Sequence, residues 1–167
     1  MATGRSMQLT KQVGEYLVSA ELSRLGFITT PFAGNVPEFD ILATDEKLET
    51  KPVQVKTIRG GSWQFDGSKF LDISISVGDR ESIRQRINGK KHLENPNLVC
   101  ILVKLVSRGQ DEFYVLRLGD LQEIIFEGYS RWLEQHGGRR PRKPKSTHNS
   151  ISPRDLLKYR DNWELLR

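Results

Sequence analysis

The chain has 167 residues, 37% of them hydrophobic and 28% charged, the proportions of a globular domain long enough to bury a core without cross-links. No apolar run approaches the length of a membrane span, the single cysteine excludes an internal disulfide, and His92, His136 and His148 have no zinc-type spacing. A formal net charge of +5 with a pI of about 9.4 suits a polyanionic partner without demanding one.

Met1 to Ser6 carries one basic residue and no apolar block after it, so neither a signal nor a transit peptide is expected, and a cytoplasmic protein is. From Thr10 to Leu25 the spacing of Val13, Leu17, Val18, Leu22 and Leu25 predicts a helix, with Thr10 as cap and Gly26 as stop. Glu15 lies on the flank of its apolar face, where a carboxylate is partly buried or partnered. Phe27–Thr30 reads as a short strand broken by Pro31, Gly34-Asn35 and Pro37, and Phe39–Ala43 as the next strand.

A polar turn over residues 44–51 returns the chain into a strand from Pro52 to Ile58, making a hairpin. With the turn centred near Lys47, Asp40 falls opposite or close to Gln54. Alternation then puts Gln54 and Lys56 on one face and Val53 and Val55 on the other.

After Arg59-Gly60-Gly61-Ser62, a flexible connection, aromatic residues precede a strand over Leu71–Val77 whose polar face, Asp72, Ser74 and Ser76, should meet solvent. Asp79 is expected to cap a short basic helix through Ile87, ended by Asn88-Gly89. Leu98–Val103 is a continuous apolar run, the mark of a strand buried on both faces, and Cys100 within it reads as core. Phe113–Leu116 is the return strand. A second long helix is expected from Asp120, with Glu123 completing a capping box, to about Gln135.

Residues 137–150 form a loop rich in Gly, Pro, Arg, Lys and Ser, and Ser152-Pro153 open a short terminal helix. Trp63, Trp132 and Trp163 read as core anchors, although Trp63 beside Gly60-Gly61 also suits stacking on a base.

In chain order, Gly14-Glu15, Gly26-Phe27, Phe39-Asp40 and Gln54-Val55-Lys56 fall on helix, helix end, strand and strand, with Asp40 25 residues after Glu15 and Gln54 14 residues beyond Asp40. On these residues, between Lys11 and Ile58, the chain resembles the PD-(D/E)XK nuclease superfamily, in particular its Holliday-junction-resolvase-like and homing-endonuclease-like members. The resemblance implies an α/β, restriction-endonuclease-like core with a central mixed β-sheet flanked by helices and a C-terminal helical extension. Residues 1–136 would be that core with its following helix, 137–150 a basic loop, and 151–167 the extension packed on the same domain.

It also implies a magnesium-dependent endodeoxyribonuclease, with Mn2+ as a possible substitute, acting on DNA as a homodimer or higher homo-oligomer because cutting two strands usually takes two sites. Glu15, Asp40, Gln54 and Lys56 would be catalytic. Asp40 would be the principal metal ligand, joined by the Gln54 oxygen, the Val55 carbonyl and Glu15, since Mg2+ takes oxygen ligands from one or two carboxylates. Lys56 would orient the nucleophilic water. Gln54 departs from the commoner acid, which removes a negative charge and opens one alternative, an inactive DNA-binding module of the same fold; an RNA-cutting nuclease is a further alternative.

Five cations in Arg139, Arg140, Arg142, Lys143 and Lys145 read equally as a solvated loop or as an arm on phosphates. Arg59 and His148 complete the candidate nucleic-acid contacts. A second basic segment, Arg80, Arg84, Arg86, Lys90 and Lys91, reads as a charged helix face.

Overall fold

The computed structural model describes residues 4–32, 38–78 and 82–166. Helix α1 (Gly4–Arg24) leads into β1 (Ile28–Pro31), β2 (Ile41–Thr44) and β3 (Thr50–Ile58). The chain continues through β4 (Trp63–Asp66), a 3₁₀ turn at Gly67–Lys69, β5 (Leu71–Val77) and β6 (Ile83–Lys90). Then come β7 (Val99–Lys104), β8 (Glu112–Arg117), helix α2 (Leu118–Gln135), β9 (His148–Ile151) and 3₁₀ helices at Pro153–Tyr159 and Trp163–Leu166.

Five strands form one mixed sheet in the order β1-β2-β3-β7-β8, with β3 and β7 parallel and the other neighbours antiparallel. The chain is therefore α/β, with a central mixed sheet flanked by helices. β7 is buried on both faces because its side chains alternate between two cores. Val99, Ile101 and Val103 join Val18 and Leu22 of α1, whereas Cys100 and Leu102 join Leu121, Ile125 and Tyr129 of α2. Two smaller ribbons, β4 with β9 and β5 with β6, stand apart from this sheet.

Several elements differ from the sequence expectation. Helix α1 begins at Gly4 rather than Thr10; Thr10 is an interior residue whose hydroxyl donates to the Ser6 carbonyl, 2.9 Å away. Val13 is exposed, so the buried stripe is narrower than its spacing implied. Pro52 is the third residue of β3, not its first, and lies ahead of the β3–β7 pairing, which starts at Val53. Helix α2 starts at Leu118, and Asp120 rather than Glu123 accepts from the backbone N–H of the capping residue Arg117, at 3.1 Å.

The largest difference is β6, a strand where a basic helix was expected. Asn88 and Gly89 do not end it; they sit at an irregularity in its register with β5. The cap Asp79, together with Arg80, lies outside the described residues, as do Gly34, Asn35 and Pro37. The loop after α2 is shorter than expected, since its last residues are drawn into β9 against β4. Ser152 and Pro153 do open a helix, but of the 3₁₀ type. No helix among the described residues is long and apolar enough to cross a membrane.

Candidate active site

Strand β2 is shorter than its partner. Its ladder ends at Ile41 opposite Val53, while β3 runs on to Ile58, so beyond Val53 no strand among the described residues lies along that edge of β3. Asp40 stands at the fork. Its N–H still donates to the Val53 carbonyl at 2.9 Å, and its Oδ2 accepts from the Val55 N–H at 2.8 Å, substituting for the missing strand. Carried one residue past its end, the register sets Asp40 opposite Gln54, the position that symmetry about the turn predicts.

The fork opens the site to both faces of the sheet. From the α1 face, Lys11 reaches in, with Nζ 3.0 Å from Asp40 Oδ1 and 3.4 Å from Glu15 Oε1. From the opposite face come Gln54 and Lys56, while Val53 and Val55 point into the α1-side core. A cleft of ≈ 600 Å³ is lined by Lys11, Asp40, Gln54, Lys56, Gln64 and Lys69, among others. A larger one of ≈ 710 Å³ lies at the other end of β3 and holds none of these groups.

Glu15 is both buried and partnered. It keeps 9% of its surface, and burial pushes its carboxyl above the usual range despite the opposing pull of Lys11. The Lys11 ammonium is raised in turn, chiefly by its hydrogen bond to Asp40. α1 comes this close to β3 because residue 14 is glycine: a Cβ there would lie 1.8 Å from Thr57 Oγ1. The buried Thr57 hydroxyl has no hydrogen-bond partner among the described residues, so it contributes contact and no polar bond.

Lys56 is exposed, with Nζ 5.5 Å from the centroid of the buried Phe65 ring, a cation–π arrangement that steadies the ammonium without neutralising it. Trp63 anchors the same strand by donating its indole N–H to the Lys56 carbonyl at 3.0 Å; it is buried and not free to stack on a base. The Gln54 oxygen lies 3.8 Å from the Cys100 thiol, a weak contact that leaves acceptor capacity open. Burial pushes that thiol up to about 12, so Cys100 is no nucleophile.

Among the other expected nucleic-acid contacts, Arg59 is exposed but spends its Nε on the Thr10 hydroxyl at 2.9 Å. Arg140 turns inward, over the Trp132 and Tyr129 rings at 5.3 and 5.7 Å, and donates to the His148 carbonyl at 2.7 Å. It holds the loop rather than extending from it. Arg139, Arg142, Lys143 and Lys145 are exposed. His148 is exposed and pairs with Asp66 in the β4–β9 ladder.

Lys11, Gln64 and Lys69 had not been singled out from the sequence. For Lys11 the signal existed: it stands four residues before Glu15, on the same helix face. No cluster of three His, Cys, Asp or Glu side chains able to hold a metal occurs among the described residues.

No family model matches the chain, and no curated protein does. Among solved structures it is similar to a bacterial homing endonuclease, I-Ssp6803I, at 15% identity over 96% of this chain and 93% of that chain, with a TM-score of 0.47.

Proposed function

We propose that the chain is a divalent-metal-dependent endonuclease of the PD-(D/E)XK type that hydrolyses phosphodiester bonds in DNA. The observation that carries this reading is the fork, where one carboxylate, one amide and one unneutralised ammonium meet at the free edge of β3. The donor set suits Mg2+: the Asp40 and Glu15 carboxylates, the Gln54 oxygen and the Val55 carbonyl are all hard oxygen donors. Two carboxylates suffice for an ion that keeps several waters and takes its remaining ligands from phosphate. Mn2+ suits the same donors.

When bound, the ion would supply charge stabilisation on the scissile phosphate and a more acidic water. The protein's share is positional. Asp40 is fixed by the Val55 N–H and cannot swing away. Lys56 carries its charge toward solvent on a strand locked by Trp63, where it would orient the attacking water and offset charge developing on the phosphate. Lys11 bridges Glu15 and Asp40 and offsets one of their two charges in the absence of an ion, and it would yield its place to one. Two copies acting on opposite strands would make a double-strand cut.

A second reading, a DNA-binding module without hydrolysis, is favoured by two features. Lys11 already contacts both carboxylates and offsets one charge between them, and Gln54 brings no charge of its own. Incubation of purified protein with supercoiled plasmid, branched DNA and RNA, in Mg2+ and in EDTA, separates the readings. The expected result is nicked or linear DNA in Mg2+ only, lost in Lys56→Ala. DNA binding with no product under any divalent ion would establish the module, and preferential loss of the RNA would identify a ribonuclease.

A further inference from the structure

The β5–β6 ribbon has two unlike faces. Its register pairs Ser74 with Arg86 and Ser76 with Arg84, and all four residues are exposed. Asn88 belongs to the same face, since its amide donates to Asp72 at 3.3 Å and its oxygen accepts from Ser74 at 3.4 Å. The other face carries Ile73, Gln85 and Ile87; the two isoleucines pack against the α2-side core.

Gln85 is 4% exposed and is a hub. Its Nε2 donates to the carbonyls of Pro144 and Ser146 at 2.6 and 3.0 Å, its backbone N–H donates to Gly138 at 2.7 Å, and its oxygen accepts from Tyr129. The basic loop is therefore fastened to the back of the ribbon. The loop's far end is fastened to β4: the Thr147 hydroxyl donates to Asp66 at 2.6 Å, the chain neighbour of Phe65, whose ring lies under Lys56. The loop thus joins the ribbon to the strand that supports Lys56.

We infer that the open face of this ribbon reads duplex DNA in the major groove, with Arg84 and Arg86 toward base edges and Ser74, Ser76 and Asn88 as neutral donors and acceptors. Arg139, Arg142, Lys143 and Lys145 contact the flanking phosphates. The assignment rests on the endonuclease reading and extends it to how the substrate is recognised. A two-stranded ribbon fits the major groove, which is about 12 Å wide, and arginine is the commonest side chain on guanine edges there. Residues two apart on a strand are separated by about 6.8 Å, close to two base-pair steps of about 3.4 Å. Arg84 and Arg86 thus address base pairs two steps apart. Among the described residues of the ribbon Asp72 is the one acid on this face, and Asn88 donates to one of its oxygens.

The test is selection of bound duplexes from a randomised DNA pool with Ca2+ replacing Mg2+, followed by fluorescence anisotropy on the selected duplex and on a scrambled one. The parental protein should enrich a sequence. R84A/R86A should lose preference at two positions two base pairs apart and bind the selected duplex roughly tenfold or more weaker, with unchanged thermal stability. K143A/K145A should weaken both duplexes alike and flatten the dependence of log Kd on log salt by about two. Arg108→Ala, in the turn between β7 and β8, should bind as the parent does.

If R84A/R86A keeps parental affinity and selectivity, or if the parent enriches no duplex or prefers single-stranded RNA, the inference is overturned. The two proposals fail separately. Cleavage in Mg2+ that is indifferent to R84A/R86A would sink the ribbon assignment alone, whereas selective binding lost in R84A/R86A without any cleavage would sink the hydrolase alone.

Discussion

On the α1 side of the sheet the buried core is mostly aliphatic, with Val18, Leu22, Ile41, Val53, Ile101 and Val103 fully buried beside the Phe27 ring; on the α2 side the rings of Trp63, Phe65, Tyr114 and Tyr129 are buried among leucines and isoleucines. The charges at and near the fork follow this division, while Lys51 rests on Phe27 at the start of β3. The α1 face delivers Glu15, a carboxylate held in an apolar setting and compensated by Lys11. The α2 face delivers Lys56 and Arg140, cations resting on Phe65, Tyr129 and Trp132 rings. An aliphatic layer cannot stabilise an ion and therefore demands a counter-charge, whereas an aromatic face supports a cation and leaves its field available to a ligand. The fork at Asp40 is where the two chemistries meet.

The sharpest break of that meeting point is Asp40→Asn, which keeps a side-chain acceptor for the Val55 N–H but removes the charge. Cleavage should fall by roughly a hundredfold or more, measured as initial rate on plasmid in Mg2+, with the fold retained by circular dichroism. The α1 side alone is tested by Gly14→Ala, which drives a methyl into Thr57 and should cost about 1–3 kcal/mol of unfolding free energy. Because the Thr57 hydroxyl is buried without a partner among the described residues, the double variant with Thr57→Ala should recover part of that loss, the rest persisting because the residue 57 Cβ stays 2.8 Å from the new methyl, a coupling visible in a double-mutant cycle.

The α2 side is tested at Asp66, whose carboxyl is held below the usual range first by the Thr147 hydroxyl and then by Ser68. Its folded-state value lies below its unfolded one, so it adds stability above the ordinary aspartate pKa of 3.8 and loses it as pH falls through the folded value. Asp66→Asn should lower stability by about 1 kcal/mol at neutral pH and remove that acid-side slope in urea titrations carried downward from the ordinary aspartate value of 3.8. The smallest effect is expected of Lys11→Met. Its side chain is 46% exposed and the buried Glu15 left without it can take up a proton, so stability should fall by about 1 kcal/mol, while Mn2+ should bind a few-fold more tightly once no ammonium competes with it.

Much of the fork was legible in the chain. The symmetric turn between β2 and β3 set Asp40 against Gln54, and plain alternation separated Gln54 and Lys56 from Val53 and Val55. What could not be read was whatever depended on distant partners. The β6 strand was hidden because its buried face reads Ile83, Gln85, Ile87: the isoleucines four apart suggest a helix turn, and a polar residue between them masks the alternation. Gln85 is tolerated there only because the loop near Pro144 and Ser146 satisfies its amide. Helix α1 likewise starts at Gly4, well before the apolar spacing that begins at Val13, and the inward turn of Arg140 depends on the rings of α2.

The direct measurement is a comparison of ion binding with cleavage in Asp40→Asn and Lys56→Ala, using calorimetric titration of Mg2+ into the DNA-bound protein beside a plasmid cleavage assay. The account predicts that Lys56→Ala binds Mg2+ as the parent does yet cuts no DNA, and that Asp40→Asn does neither. Parental cleavage by Lys56→Ala, or parental Mg2+ binding by Asp40→Asn, would contradict it.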